Sequence, residues 1–245
     1  MLGLGASLTG GAALSSEFLP TDVGGIQLWL RNNVGLTGDP VSQWDDSSGN
    51  SNHASQSSES NRAALSGGGL DFEESEGDHY DLASSISISA DTGIACFIVL
   101  DIESYDSTQN CFLSSSSSKF MEFQNNDRIR LNYTNDVTTI YFDVANHFTV
   151  AGGKMLVTIV RNDSGLHKVY KDGSLLAIDT SSTNAAGAGL TNPTAGAISV
   201  VGHRQKATAD RQFDGKIYEV IFYNQEVSDS NIALINTFLT DYHSL

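Results

Sequence analysis

Short apolar runs separated by polar turns make up most of this 245-residue chain, and only one stretch has the pattern of a helix. Residues 26–31 follow the period of two expected of a strand. Residues 94–100 are apolar throughout, which predicts a central strand covered on both faces. Asp172-Gly173, between two further runs, predicts a tight hairpin. Many short strands with almost no helix predict an all-β sandwich of two antiparallel sheets.

The one helical pattern lies at residues 228–243. Ser228 has the side chain of a good N-cap, and Ile232, Ile235 and Leu239 recur at helical spacing. We therefore expect one short C-terminal helix with a single apolar face.

Residues 1–24 are predicted to form an extended N-terminal arm, followed by one jelly-roll domain over residues 25–245. The arm begins with a Gly-rich segment, and Pro20 discourages helix in the residue before it. Leu2, Leu4 and Leu8 are apolar side chains that gain stability only by docking on another surface. We interpret them as an assembly arm, with a frayed terminus as the alternative.

The charge of the chain argues against nucleic-acid partners. The formal net charge is −16, which repels phosphate backbones and anionic membrane surfaces. No apolar run approaches the roughly 18 residues of a membrane span. Cys96 and Cys111 both lie next to apolar residues, so we expect buried free thiols rather than a disulfide.

Several segments resemble concanavalin A-like or laminin G-like jelly-roll domains of phage and bacterial surface proteins. In the order of that family they are Ile26–Arg31, Val41–Ala54, Gly69–Phe72 with Asp78–Tyr80, Val169–Gly173 and Phe213–Tyr223. Met1–Gly5 is similar to the start of structural proteins of marine tailed phages. The resemblance implies a concanavalin A-like jelly roll on a virion surface, assembled in the host cytoplasm. Its partners would be capsid or tail subunits, contacted through residues 1–24.

Patterns that carry catalysis are missing from the sequence. Laminarin-type hydrolases of this fold use a Glu-x-Asp-x-x-Glu pattern for catalysis. The segment of this chain that is most similar to it, Asp101-Ile-Glu103, lacks the third acid. The acidic turn between Asp71 and Asp81 offers the oxygen ligands that Ca²⁺ prefers, but Glu76 occupies the place of the Gly that an EF-hand loop requires. A solvated loop is the simpler interpretation, so we name no metal ligands and leave Ca²⁺ open. We expect no catalytic residues, no cofactor and no enzyme activity.

The alternative function is a lectin-like adhesion module that recognises host glycans. Arg128, Arg130 and Asn132 form the polar side of one predicted strand, and Tyr170 would supply a ring for stacking on a sugar. An ordinary solvated sheet face is the simpler interpretation of the same pattern. The sequence leaves a homo-oligomer open.

Overall fold

The computed structural model describes residues 18–105, 110–116, 119–125, 128–132, 140–143, 147–150, 152–177, 195–204 and 211–245. Its strands, in chain order, are β1 (Ile26–Leu30), β2 (Leu36–Thr37), β3 (Gln43–Trp44), β4 (Ala54–Ser55), β5 (Ala64–Ser66), β6 (Gly69–Phe72), β7 (Tyr80–Ile88), β8 (Ile94–Ile102), β9 (Asn110–Ser116), β10 (Lys119–Asn125), β11 (Arg128–Asn132), β12 (Ile140–Asp143), β13 (Met155–Arg161), β14 (His167–Lys171), β15 (Ser174–Leu175), β16 (Gly196–Val201) and β17 (Gly215–Tyr223). The described helices are α1 (Asp229–His243) and two short 3-10 turns, Pro20–Asp22 and Glu59–Asn61.

These strands form two sheets in which neighbouring strands run antiparallel. Sheet I has the order β15-β14-β13-β8-β17-β6-β5, with β1 also paired to β17. Sheet II has the order β12-β11-β10-β9-β16-β7-β4-β3-β2. The predicted all-β sandwich of two antiparallel sheets is therefore confirmed, and the arrangement fits a jelly-roll or lectin-like fold.

The main core fills the space between the two sheets. Phe72 and Ile98 from sheet I, and Trp44 and Phe123 from sheet II, are fully buried members of one apolar cluster. Burying each such side chain contributes about 1.5–3 kcal/mol. The indole Nε1 of Trp44 donates to the carbonyl of Arg31 at 2.9 Å, so the polar atom of this buried ring is also satisfied. Trp44 therefore packs inward between the two sheets.

A second apolar layer lies on the other side of sheet I, where α1 packs. Ile232, Ile235 and Leu239 of α1 are buried in one cluster with Phe97 and Ile221 of the sheet. Strand β8 is covered by the main core on one face and by α1 on the other. This explains why residues 94–100 are apolar without alternation, as predicted.

The start of α1 follows from its sequence. Ser228 precedes the helix with extended backbone, and its hydroxyl accepts a hydrogen bond from the backbone N–H of Asn231 at 3.3 Å. The C-terminal helix is therefore confirmed. Neither α1 nor any other described helix is long and apolar enough to cross a membrane.

The tight hairpin predicted at Asp172-Gly173 joins β14 to β15. Both residues have positive φ, 47° for Asp172 and 77° for Gly173. Two such residues in a row are what a type I′ turn requires, and its twist matches that of the flanking strands.

The described part of the N-terminal segment lies against sheet I and α1. Val23 is buried, the hydroxyl of Tyr223 donates to the carbonyl of Pro20 at 2.8 Å, and the ring of Phe18 meets the edge of Phe238. Leu2, Leu4 and Leu8 lie outside the described residues. The arm over residues 1–24 stays a prediction. Because residues 18–24 contact the folded body, a truncation that tests the arm should end before residue 18.

Candidate functional site

The face of sheet II that points away from sheet I carries polar side chains on β11. Ile129 and Leu131 are fully buried in the main core. Because side chains alternate along a strand, Arg128, Arg130 and Asn132 point to the outer face. The predicted division of β11 into an apolar and a polar side is therefore confirmed.

A buried glutamate lies beside these residues on the neighbouring strand β10. Glu122 stands between two core residues, Met121 and Phe123, so its side chain also points to the outer face. The register of the two strands places Glu122 directly opposite Arg130. The Glu122 side chain is nevertheless 0 % exposed.

Two arginines pair with the Glu122 carboxylate. Nη1 of Arg130 donates to Oε1 at 2.7 Å, and Nη1 of Arg204 lies 3.6 Å from Oε2. Both arginine side chains are 12 % exposed, so each is largely buried with a small part at the surface. A buried carboxylate held between guanidinium groups fixes their positions, because leaving it unpaired would be costly.

A buried thiol, Cys111 on β9, also lies beside Glu122. Cys111 faces Glu122 in the strand register and is fully buried. Burial raises the pKa of its thiol well above the usual range, the negative charge of Glu122 adds to this, and the positive charge of Arg211 opposes it. We call Arg128, Arg130 and Arg204, with Glu122, the arginine face.

Two imidazole rings pair near the start of β7 and the end of β16. The rings of His79 and His203 lie with centroids 5.3 Å apart and planes inclined by 34°. Nε2 of Gln56 is 3.1 Å from the His79 ring nitrogen, and Nε2 of Gln212 is 3.3 Å from that of His203. His203 directly precedes Arg204 in the chain.

The structure brings together only part of the set predicted from the sequence. Arg128, Arg130 and Asn132 share the outer face of sheet II, whereas Tyr170 lies on β14 of sheet I. The Tyr170 ring packs against the apolar layer under α1. It is therefore on the opposite side of the sandwich from the three polar residues.

Sequence reasoning missed Glu122 and Arg204. The available signal for Glu122 was a lone charge between Met121 and Phe123 in an apolar strand. Arg204 follows β16 and lies near β10 only because of the sheet order, which no local pattern contains.

A second group of charges lies at the acidic turn. Carboxylate oxygens of Asp71, Glu73 and Glu103 lie within 4.8 Å of one another. Nζ of Lys216 is 3.4 Å from Asp71 and also pairs with Glu103. Partial burial, followed by the neighbouring carboxylates, raises the pKa of Glu73. Because the Lys216 ammonium already serves as their counterion, we assign no ligand to these carboxylates.

Comparison with solved structures supports the fold. Trypanosoma rangeli sialidase in complex with sialic acid matches with a TM-score of 0.57 at 17 % identity, over 90 % of this chain and 33 % of the sialidase chain. The receptor binding domain of botulinum neurotoxin D matches with a TM-score of 0.54 at 16 % identity, over 90 % of this chain and 54 % of that domain. No protein-family model and no curated protein sequence matches the chain.

These matches correct one expectation. The sequence predicted that the chain is not an enzyme, and the matches to sialidases, which are enzymes, contradict that prediction. The chain spans about a third of the sialidase chains and about half of the neurotoxin domain. At such low identity, the likeness establishes the fold alone: a two-sheet antiparallel β sandwich that this chain has in common with sialidase and receptor-binding structures.

Proposed function

We propose that this chain is a lectin-like module that binds glycans through the arginine face. The observation that carries the proposal is the buried Glu122 carboxylate paired with Arg130 and Arg204. Sugar hydroxyls need several fixed donors and acceptors, and guanidinium groups supply planar sets of N–H donors. The amides of Asn132 and Gln124 lie on the same two strands and add both donors and acceptors.

The solved structures of similar fold support this proposal at the level of the fold. One is described as a sialidase in complex with sialic acid and another as a receptor binding domain. This chain spans about a third of the sialidase chain and about half of the neurotoxin chain, so the support consists of a shared β sandwich.

A glycan array probed with the purified full-length chain tests the proposal. We expect binding to a restricted set of glycans, and loss of most of that binding in Arg128→Ala. The Arg128 side chain donates to Gln124 at 3.4 Å and is not part of the Glu122 pairs, so this variant removes a donor while keeping the buried carboxylate paired. An array without any bound glycan would end the proposal.

Lys168→Ala is the matched control for the array. Lys168 is a cation on β14 of sheet I, where it pairs with Asp229 of α1 at 2.7 Å. This variant removes the same charge as Arg128→Ala on the opposite side of the sandwich. Its glycan profile should equal that of the unmodified chain.

The second proposal is a location on a virion surface, with capsid or tail subunits as partners through residues 1–24. It rests on the sequence resemblance and on Leu2, Leu4 and Leu8. Deleting residues 1–17 is the suitable test, because residues 18–24 contact sheet I and α1. We expect the truncated chain to fold, with an unchanged circular dichroism spectrum, and to be absent from assembled particles. Normal incorporation of the truncated chain would contradict the arm.

A further inference from the structure

We propose that Leu14 packs into a groove on the outer side of α1, so that the N-terminal segment folds back onto the helix of its own chain. The groove has a volume of about 380 Å³, and six residues line it: Phe18, Leu234, Thr237, Phe238, Asp241 and Tyr242. We call it the α1 groove. It lies on the side of the sandwich opposite the arginine face, so the proposal is independent of glycan binding there.

Helix α1 carries more apolar surface than its packing on sheet I requires. Besides the buried residues that face the sheet, Leu234, Phe238 and Tyr242 recur at intervals of four residues, which places them in one stripe on the outer side. Leu234 is 49 % exposed and Tyr242 is 45 % exposed. The outer side of a helix on a sheet is normally polar, so an apolar stripe there marks a surface that another segment covers.

The N-terminal segment already enters this groove at Phe18, the first described residue. The Phe18 ring meets Phe238 nearly edge-on, with ring centroids 6.3 Å apart. The backbone N–H of Leu19 donates to the carboxylate of Asp22 at 2.9 Å, which fixes the turn that follows. The residues before Phe18 therefore continue from the groove itself.

Leu14 is the large apolar side chain of residues 1–17 that lies nearest to Phe18 in sequence. It precedes Phe18 by four residues, which span at most about 14 Å when extended. The apolar stripe extends about 6 Å along the helix on either side of Phe238, so Leu14 can reach both ends of it. Closing so short a loop costs less entropy than bringing back Leu8.

The charges favour this segment over a second copy of the chain as the occupant. Residues 1–16 contain no charged side chain, and among the described residues that line the groove only Asp241 is charged. A second copy would bring its own formal net charge of −16 against that of the first and would be repelled. The uncharged segment meets no such repulsion.

Disulfide trapping in the full-length chain tests the contact. The double variant Leu14→Cys with Leu234→Cys places one thiol on each partner, while the native thiols of Cys96 and Cys111 are fully buried. Oxidised glutathione should then form a disulfide within one chain, identified by peptide mapping. The matched control is Leu14→Cys with Ala233→Cys, because Ala233 is exposed on the same turn of α1 but does not line the groove.

The rates of the two pairs decide the outcome. We expect the pair with Leu234→Cys to oxidise at least about fivefold faster than the pair with Ala233→Cys, since docking raises the effective concentration of one thiol at the other. Equal rates would mean that the segment only collides with the helix, and they would overturn the proposal. A disulfide between two chains, in place of the internal one, would make a second copy the occupant and overturn it as well.

Binding of an apolar dye provides a test without added cysteines. Leu14→Asp should uncover the α1 groove and raise the fluorescence of anilinonaphthalene sulfonate at least about twofold. Leu8→Asp adds the same charge six residues away and should leave the fluorescence unchanged. Equal fluorescence of Leu14→Asp and the unmodified chain would overturn the proposal. Contact is measured rather than global stability, because ordering the residues that lead to Leu14 offsets the burial of its side chain.

Discussion

Oε2 of Glu219 lies 2.7 Å from Nε2 of His243, and this pair joins strand β17 to the last turn of α1. The other carboxylate oxygen accepts a hydrogen bond from the indole of Trp29 at 2.6 Å. Glu219 and His243 are both buried. Both oxygens of a carboxylate within the second apolar layer thus have partners, and α1 is attached by polar as well as apolar contacts.

His243→Ala should destabilise the fold. The change leaves one oxygen of the buried Glu219 without its partner, which typically costs about 3 kcal/mol or more. Urea unfolding followed by circular dichroism measures the loss. Leu234→Ala on the exposed side of α1 is the control and should change the free energy of unfolding by less than about 0.5 kcal/mol. Equal effects of the two variants would contradict the importance of the pair.

Asp78 should make the protein less stable as the pH rises. Burial, opposed by a hydrogen bond from the backbone N–H of Glu73, raises its pKa from 3.8 to about 6. A folded-state pKa above the unfolded value means that stability present below about pH 4 is lost as the pH passes 6. Asp78→Asn keeps an acceptor for Glu73 and should be more stable than the unmodified chain at about pH 8, by about 1–3 kcal/mol. At about pH 4 this advantage should disappear, and a pH-independent difference would contradict the argument.

His167 should have the opposite effect in acid. Burial, followed by the charge of Arg161, lowers its pKa from 6.5 to about 3, because both disfavour the imidazolium. A folded-state pKa below the unfolded value means that stability present above pH 6.5 is lost as the pH falls. His167→Phe keeps a ring and cannot be protonated. Between about pH 7.5 and 4.5 it should lose about 2–3 kcal/mol less stability than the unmodified chain, measured by urea unfolding at both pH values.

Cys96 and Cys111 should be unreactive in the folded protein. Both thiols are unpaired and fully buried, and burial raises the pKa of each well above the usual range. Ellman's reagent at neutral pH should modify neither thiol until urea unfolds the chain, after which both should react. Rapid labelling of the native protein would indicate that a thiol is accessible.

Local sequence patterns predicted the strands that are long enough to show either alternation or a continuous apolar run. Alternation in β11 separated core side chains from outer ones, and the continuous apolar run of β8 indicated cover on both sides. The short strands β2 to β5 were not predicted, because two or three residues are too few to show a period. They exist because neighbouring strands supply their hydrogen bonds.

The site was only partly predictable for a related reason. Arg128 and Arg130 are two residues apart on one strand, so the period of two places them together. Tyr170 was grouped with them because it lies on a strand and has a suitable ring, but the choice between the two sheets depends on strand order. Strand order is a long-range property, and it likewise brings Arg204 beside Glu122.

Because α1 packs on the outer side of sheet I, the C-terminal end of the chain lies on the side of the sandwich opposite the outer face of sheet II. Leu245 follows this helix, so a tag fused after it emerges on the side opposite the arginine face. Immobilising the protein through such a tag would turn Arg128 and Arg130 towards the solution, whereas random coupling through lysines would orient molecules in every direction. The sheet that α1 covers thereby determines how the immobilised protein is oriented on a sensor surface.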